Sequence, residues 1–458
     1  MSRATAAVAL AGALACAVAD AFYLGLLGGD GAGAWLLVLS WVVFGGVLAG
    51  LALARAERRP SLRRPVAVIV LAAALVQVPG LLVAPLNSSD AYRYVWDGRV
   101  QLSGISPYRM APLDDRLAGL RDPVLFPGLG PADRTGVSGL SSDTVDDPRT
   151  RINRPRVPTI YPPVAQLWFA GIAAVTPWRL GTLGVRIAAA LVAVATTALL
   201  AIALARCGRR LWLALGYGLS PAVAVEAANS GHVELLATLL VVAAAMTVRR
   251  RLLSGVLLGL AVAVKVVPLL LLPALRTGLR GRLGTATTVL ASYLPHLLVT
   301  GWLVLGYLPG YLGEEGFDGG HDRYAVLSVF LPEPARAPAA LLAGAAMAAL
   351  AWYRTARDGA AVTATWLFGA AMLIGTPSYP WYTLPLLGLA VLAGRWEWLA
   401  VVVSAYGAYT AYDDPGRIRA WYVVAALVVL AATVWRQAPI RFPFRIFARR
   451  TAADRYVA

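Results

Sequence analysis

Two aspartates, three arginines and four aromatic residues crowd the stretch "NSSDAYRYVWDGRVQLSGISPYR" (residues 87–109). It follows about twenty apolar residues that end at Pro85. A carboxyl group held beside apolar surface resists ionisation, which raises its pKa and suits it to act as a general base. In a helix that starts at Asp90, positions 90, 93, 94 and 97 share one face. That face carries Asp90, Arg93, Tyr94 and Asp97, while Tyr92, Val95, Trp96 and Arg99 lie opposite. Two carboxylates and a guanidinium would then converge where an apolar segment ends. The same residues would also make ordinary ion pairs one turn apart on a solvated helix. Composition leaves both readings open.

Further groups suited to binding stand elsewhere in the chain. Arg93, Arg154, Arg156 and Arg323 are candidates for bidentate contact with a phosphate. His321 lies in "GGHDRYAVLSVF", where glycines let backbone approach a ligand closely. His232 and Glu234 follow "NSG"; the histidine would cap a site, bond a sugar or simply be a buried structural residue. Tyr379 and Trp381 in "YPWY" would stack on a sugar ring or form part of an interfacial aromatic belt. Lys265, the only lysine, interrupts an apolar run and is an intramembrane charge. Its expected place toward the cytoplasmic side argues against direct contact with a phosphate. Paired acids such as Asp114 and Asp115 show no compact ligand spacing, so neither a metal nor a cofactor is expected.

The elements that must carry these residues are apolar helices. Of 458 residues, 59% are hydrophobic and only 14% charged, a balance foreign to soluble domains. Apolar runs of about 18–24 residues are separated by short arginine-rich breaks, the pattern of an all-α polytopic membrane protein. The net charge of +17 comes almost wholly from arginine. It is read as positive charge facing the cytoplasm and anionic lipid, with no nucleic acid as partner. Dense arginine at 55–64, 206–210, 249–251, 276–282, 354–357 and from 436 onward sets the orientation. The segments 28–33, 86–182, 228–232, 306–334, 378–381 and 413–417 then face outward, so any chemistry is on the outer face.

Twelve spans are expected: 5–27, 34–54, 66–85, 183–205, 211–228, 232–248, 283–305, 335–353, 360–377, 381–394, 397–412 and 418–435. The apolar stretch 252–275 has arginine at both ends, which predicts a broken or re-entrant element turning near residues 265–268. All of this makes one membrane domain. Residues 1–65 add a helical hairpin, 86–182 form a large outer loop, 183–435 supply the remaining spans, and 436–458 are a basic cytoplasmic tail. Within the loop a helix is predicted over 90–102, capped by Ser89 and stopped by Gly104 and Pro107. Residues 112–158 read as irregular. The apolar "YPPVAQLWFAGIAAVTPW" (161–178) reads as a helix lying in the outer interface.

The sequence "SDAYRYVWDGRVQLSGISPYRMAP" followed by "YPPVAQLWF" resembles the first outer loop of bacterial GT-C glycosyltransferases. The likeness is to the polyprenyl-phosphate-mannose-dependent family that includes the mycobacterial α-mannosyltransferases. "NSGHVELLATLLVVAAA" (229–245), "GVLLGLAVAVKVVPLLLLPAL" (255–275) and "TPSYPWYTLPLLGL" (376–389) fit in order. The resemblance covers about residues 80 to 390, which makes the first two spans look like an addition. It implies a GT-C-like bundle with a polyprenyl-phosphate-sugar donor and a glycan or glycolipid acceptor. It also implies inverting transfer with Asp90 as the base. Two other classes remain: a transporter or flippase of lipid-linked sugars, which should show repeated halves, and a glycan polymerase or ligase.

Overall fold

The computed structural model describes residues 1–26, 34–54, 63–129, 147–316, 323–411 and 414–437. Of the described residues 76% are helical, with no strand among them. Among the described residues, seven helices are long and apolar enough to cross a membrane: Arg3–Tyr23, Trp35–Leu53, Arg64–Leu82, Leu183–Arg206, Gly278–Glu314, Glu333–Asp358 and Pro415–Gln437. An eighth crossing arises if Leu211–Gly218 and Pro221–Asn229 act as one span bent by 56°. The bend falls at Ser220–Pro221, where the missing proline N–H and the constraint on the preceding residue interrupt the helix. Five shorter apolar helices lie among these. The large hydrophobic core runs between the helices. Outward surfaces are also apolar: Leu298, Trp302 and Leu341 are each more than three-quarters exposed. That is the surface expected where the solvent is lipid.

Contacts sort the connections into two ends. At one end Arg209 donates to the Leu392 carbonyl at 2.6 Å, and Arg436 pairs with Glu397 at 2.7 Å. There the Thr355 hydroxyl also donates to the Ala274 carbonyl, and Arg276 and Arg282 lie over the Trp352 ring. The described arginine-rich breaks gather here. The other end collects the loop after Leu82, residues 153–161, the turn at 229–234 and the segment 376–382.

The stretch between residues 251 and 277 is a hairpin. Helix Arg251–Val264 rises to Lys265, which is extended (φ −150°, ψ 135°), and Val267–Leu271 with Leu272–Leu275 returns. Gly278 stands against the Arg251 side chain, and Gly255 packs onto the Gly281 backbone, so the element begins and ends at the basic end. Arginine on both flanks is thereby brought to the same end.

The large loop after Leu82 has its own small core around Tyr94, Trp96, Phe126 and Phe169. Helix Asp90–Leu102 forms over the residues expected of it. Ser89 occupies the N-cap position but makes no side-chain cap bond; Ser88 Oγ accepts from the Asp90 N–H at 3.2 Å instead. Gly104 adopts φ +76° and lets the chain turn away. Gly98 lies against the Phe169 carbonyl of helix Pro163–Val175, a contact no larger residue fits. Arg99 pairs with Asp122, donates to the Trp178 carbonyl at 3.0 Å and stacks on the Trp178 ring. Of residues 112–158, those described form a single six-residue 3-10 turn, Asp115–Leu120, and otherwise no regular element; 130–146 lie outside the described residues.

Candidate active site

The turn that delivers Asp90 is tied down from several sides. Arg186 donates to the carbonyls of Gly80, Val83 and Ala228. Asn229 accepts from the Leu86 N–H at 2.9 Å and donates to the Ala84 carbonyl at 2.8 Å. Tyr409 donates to the Asn87 carbonyl, and the Asn87 side chain donates to Tyr23 Oη, each at 2.8 Å. Six hydrogen bonds to five residues between positions 80 and 87 leave Asp90 little freedom to move.

Asp90 lines a cavity of about 240 Å³. Its Oδ1 accepts from Asn153 Nδ2; its Oδ2 accepts from Tyr161 Oη at 3.1 Å and, weakly, from Tyr94 Oη at 3.4 Å. An ionised carboxylate offers about four lone-pair sites. One therefore remains for a hydroxyl entering from the cavity. Lys265 and Arg154 line the same space, with Tyr311, Tyr379, Trp381 and Tyr382 as aromatic walls. Lys265 Nζ is 2.6 Å from Glu234 Oε1 and 4.6 Å from the centre of the Tyr382 ring. Arg154 bonds Glu314 at 2.7 Å and lies over Tyr311.

Charge reverses the sequence expectation for Asp90. Burial pushes its carboxyl up, but His232, Lys265, the Asn153 bond and Arg154 together outweigh burial and hold it below the ordinary carboxylate range. It is ionised at neutral pH, with no raised pKa. Burial pushes the phenols of Tyr94 and Tyr161 far up, so both remain donors to that carboxylate. His232 is fully enclosed, stacked on Trp381 at 4.1 Å, with Nδ1 3.6 Å from Asp90 Oδ2.

The expected site residues separate into two groups. Asp90, Tyr94, Arg154, Tyr379 and Trp381 stand together at the cavity or touch the carboxylate, and His232 stands behind it. Arg93 and Asp97 do not converge on Asp90. They pair with each other at 2.9 Å, Arg93 clamps the carbonyls of Arg154 and Val157, and Asp97 accepts from Gln166. Arg156 bonds Asp147 within the loop. Arg323 pairs with Glu315 and donates to the Thr376 carbonyl at 3.0 Å, bracing two segments that flank the cavity. His321 lies outside the described residues.

Lys265 is the principal correction. Sequence placed it toward the cytoplasmic side and away from any phosphate; the hairpin carries it into the cavity beside Asp90. Its solitary occurrence among 41 basic residues was the signal that sequence offered. Asn153, Tyr161 and Tyr311 carried no comparable signal, since ordinary polar and aromatic residues surround them in the chain.

Residues 5–121 match the family described as alpha-(1->6)-mannopyranosyltransferase, N-terminal domain. The matched region takes in the first two helices, the turn that holds Asp90 and the whole of helix Asp90–Leu102. No curated protein and no solved structure matches the chain. Over residues 5–121 the chain is thus similar to the N-terminal domain of a GT-C mannosyltransferase family, and that match, with an aspartate-led cavity at the mouth of an apolar helical bundle, supports a glycosyltransferase.

Proposed function

We propose that the protein transfers mannose from a polyprenyl-phosphate donor to a glycan or glycolipid acceptor on the outer face of the cell membrane, with inversion. The observation that carries this reading is the ionised Asp90 carboxylate facing Lys265 and Arg154 across one small aromatic-lined cavity. The acceptor O–H gives its proton to Asp90 as its oxygen bonds the anomeric carbon. The bond from that carbon to the donor phosphate breaks, and its electron pair leaves with the phosphate. A transition state of this kind is oxocarbenium-like, and the departing phosphate gains charge that Lys265 and Arg154 offset. No acid is needed at the leaving group. A carboxylate below the ordinary range still serves, because the hydroxyl becomes acidic only as it bonds the electron-poor carbon.

The cavity is smaller than the roughly 300–1,000 Å³ of sites that enclose a drug-sized ligand. That suits a single sugar phosphate, its isoprenoid tail lying along the apolar helices outside. Twelve crossings result if the bent pair 211–229 and the shorter helices Glu234–Met246, Ala360–Gly375, Leu384–Ala393 and Leu399–Tyr409 join the seven long ones. The arginine-rich end then faces the cytoplasm by the positive-inside rule, and the cavity faces outward. Purified protein in nanodiscs, given an acceptor glycolipid, tests the donor class. Transfer is expected from polyprenyl-phosphate-mannose and not from a nucleotide-mannose; use of the nucleotide donor alone would overturn the reading.

A further inference from the structure

His232 reaches its place through an irregular turn. Residues Val225–Asn229 form a π-helix, with the Ser230 N–H bonding the Val225 carbonyl at 2.9 Å. Such turns are uncommon and concentrate at functional positions. Gly231 at φ +69° then folds the chain back, so that the His232 N–H donates to the Glu226 carbonyl at 2.9 Å. The result sets the imidazole between carboxylates. Nε2 is 3.2 Å from Glu226 Oε2, and Nδ1 is 3.6 Å from Asp90 Oδ2 and 3.8 Å from Glu234 Oε2. Glu226 is itself held by Tyr406 Oη at 2.7 Å. His232 is completely buried and takes no part in the cavity lining.

We propose that His232 is a positioning residue: a buried imidazolium, anchored by Glu226, that keeps the Asp90 carboxylate charged and aimed into the cavity. The inference rests on the reading of Asp90 as the base. Its physical ground is that a histidine enclosed by three carboxylates gains more from its proton than burial takes away. Burial alone pulls the imidazole down, but Glu226, Glu234 and Asp90 raise it above its ordinary value. Other titratable and polar groups face this assembly from the elements packed against it, and Lys265 pairs with Glu234. Around Asp90 they are Lys265, Arg154, Asn153, Tyr94 and Tyr161; around Glu226 they are Tyr406, Tyr23 and Tyr409. His232 does not touch substrate and does not relay the proton, since an imidazolium has no lone pair with which to accept it. It acts only through the charge of Asp90.

The sign follows. Without the imidazolium, Asp90 binds a proton at higher pH, so the acid limb of kcat/KM moves up. In His232→Gln, the full-length protein should show that limb raised by about one pH unit or more, with activity recovered at higher pH. A limb left in place, with activity lowered evenly across pH, would mean a packing role and would overturn the proposal. Should that variant not fold, the wild-type imidazole answers directly. The chain has three histidines, so 15N-histidine NMR can separate them. His232 should carry both protons at pH 7 and lose one at lower pH in Glu226→Gln; a neutral His232 at pH 6 in the wild type overturns the proposal. An inactive Asp90→Asn together with an unmoved limb in His232→Gln would reject this inference alone. A fully active Asp90→Asn would reject the base on which it rests.

Discussion

Replacing Lys265 with methionine separates a structural charge from a functional one. Lys265 is about one-seventh exposed and pairs at 2.6 Å with Glu234, whose side chain is almost fully buried. Methionine keeps the aliphatic stem but removes the direct partner of the Glu234 carboxylate, leaving it only the His232 nitrogen 3.8 Å away. Breaking a buried pair by removing one partner costs on the order of 3–5 kcal/mol, because the remaining charge stays desolvated. Glu234→Gln alone should cost less, since the ammonium still opens onto the cavity and faces the Tyr382 ring. In the double variant both charges are gone, and much of the lost stability should return. Activity should behave differently. If Lys265 offsets charge on the departing phosphate, its removal should lower kcat by about 10²–10³, the usual cost of deleting one preorganised electrostatic contact. The double variant should remain equally impaired. Thermal unfolding in nanodiscs and single-turnover transfer would be read on all four proteins. Recovery of transfer in the double variant, in step with recovery of stability, would refute the phosphate role and leave Lys265 a partner of Glu234 only.

Two further outcomes follow from the geometry. Gly98→Leu should force helix Pro163–Val175 off helix Asp90–Leu102, because even a Cβ there overlaps the Phe169 carbonyl; a loss of roughly 1–3 kcal/mol is expected, visible as a lowered melting temperature. Sidedness can be read with single cysteines in a chain in which Cys207 is replaced by serine, Cys16 being buried. Cysteine at exposed Ser103 should react with an impermeant maleimide in intact cells, and cysteine at exposed Arg250 only after permeabilisation; the reverse pattern would place the cavity on the cytoplasmic face.

Local features of the fold were readable because local chemistry sets them. Helix Asp90–Leu102 is bounded by a serine pair and Gly104, and the hairpin through Lys265 is betrayed by arginine on both flanks. What sequence could not supply was which partner each charge takes over long separations. Arg93 and Asp97 share a helix face with Asp90, yet Arg93 is claimed by carbonyls more than sixty residues away and Asp97 by Gln166. The Asp90 pKa was misjudged for the same reason. Burial was foreseeable from the apolar run before it, whereas the opposing cations come from three distant segments around residues 154, 232 and 265. Helix length misled as well, since several apolar helices between the two ends are shorter than a full span.

The central claim is tested most directly by Asp90→Asn in a single-turnover assay with polyprenyl-phosphate-mannose and a glycolipid acceptor. Asparagine keeps the size of the side chain and its bonds to Asn153 or Tyr161 while removing the charge that accepts the proton. Transfer should fall by about 10²–10⁴, with donor binding and thermal unfolding near those of the wild type. Transfer within a few-fold of the wild-type rate by this variant would contradict the account.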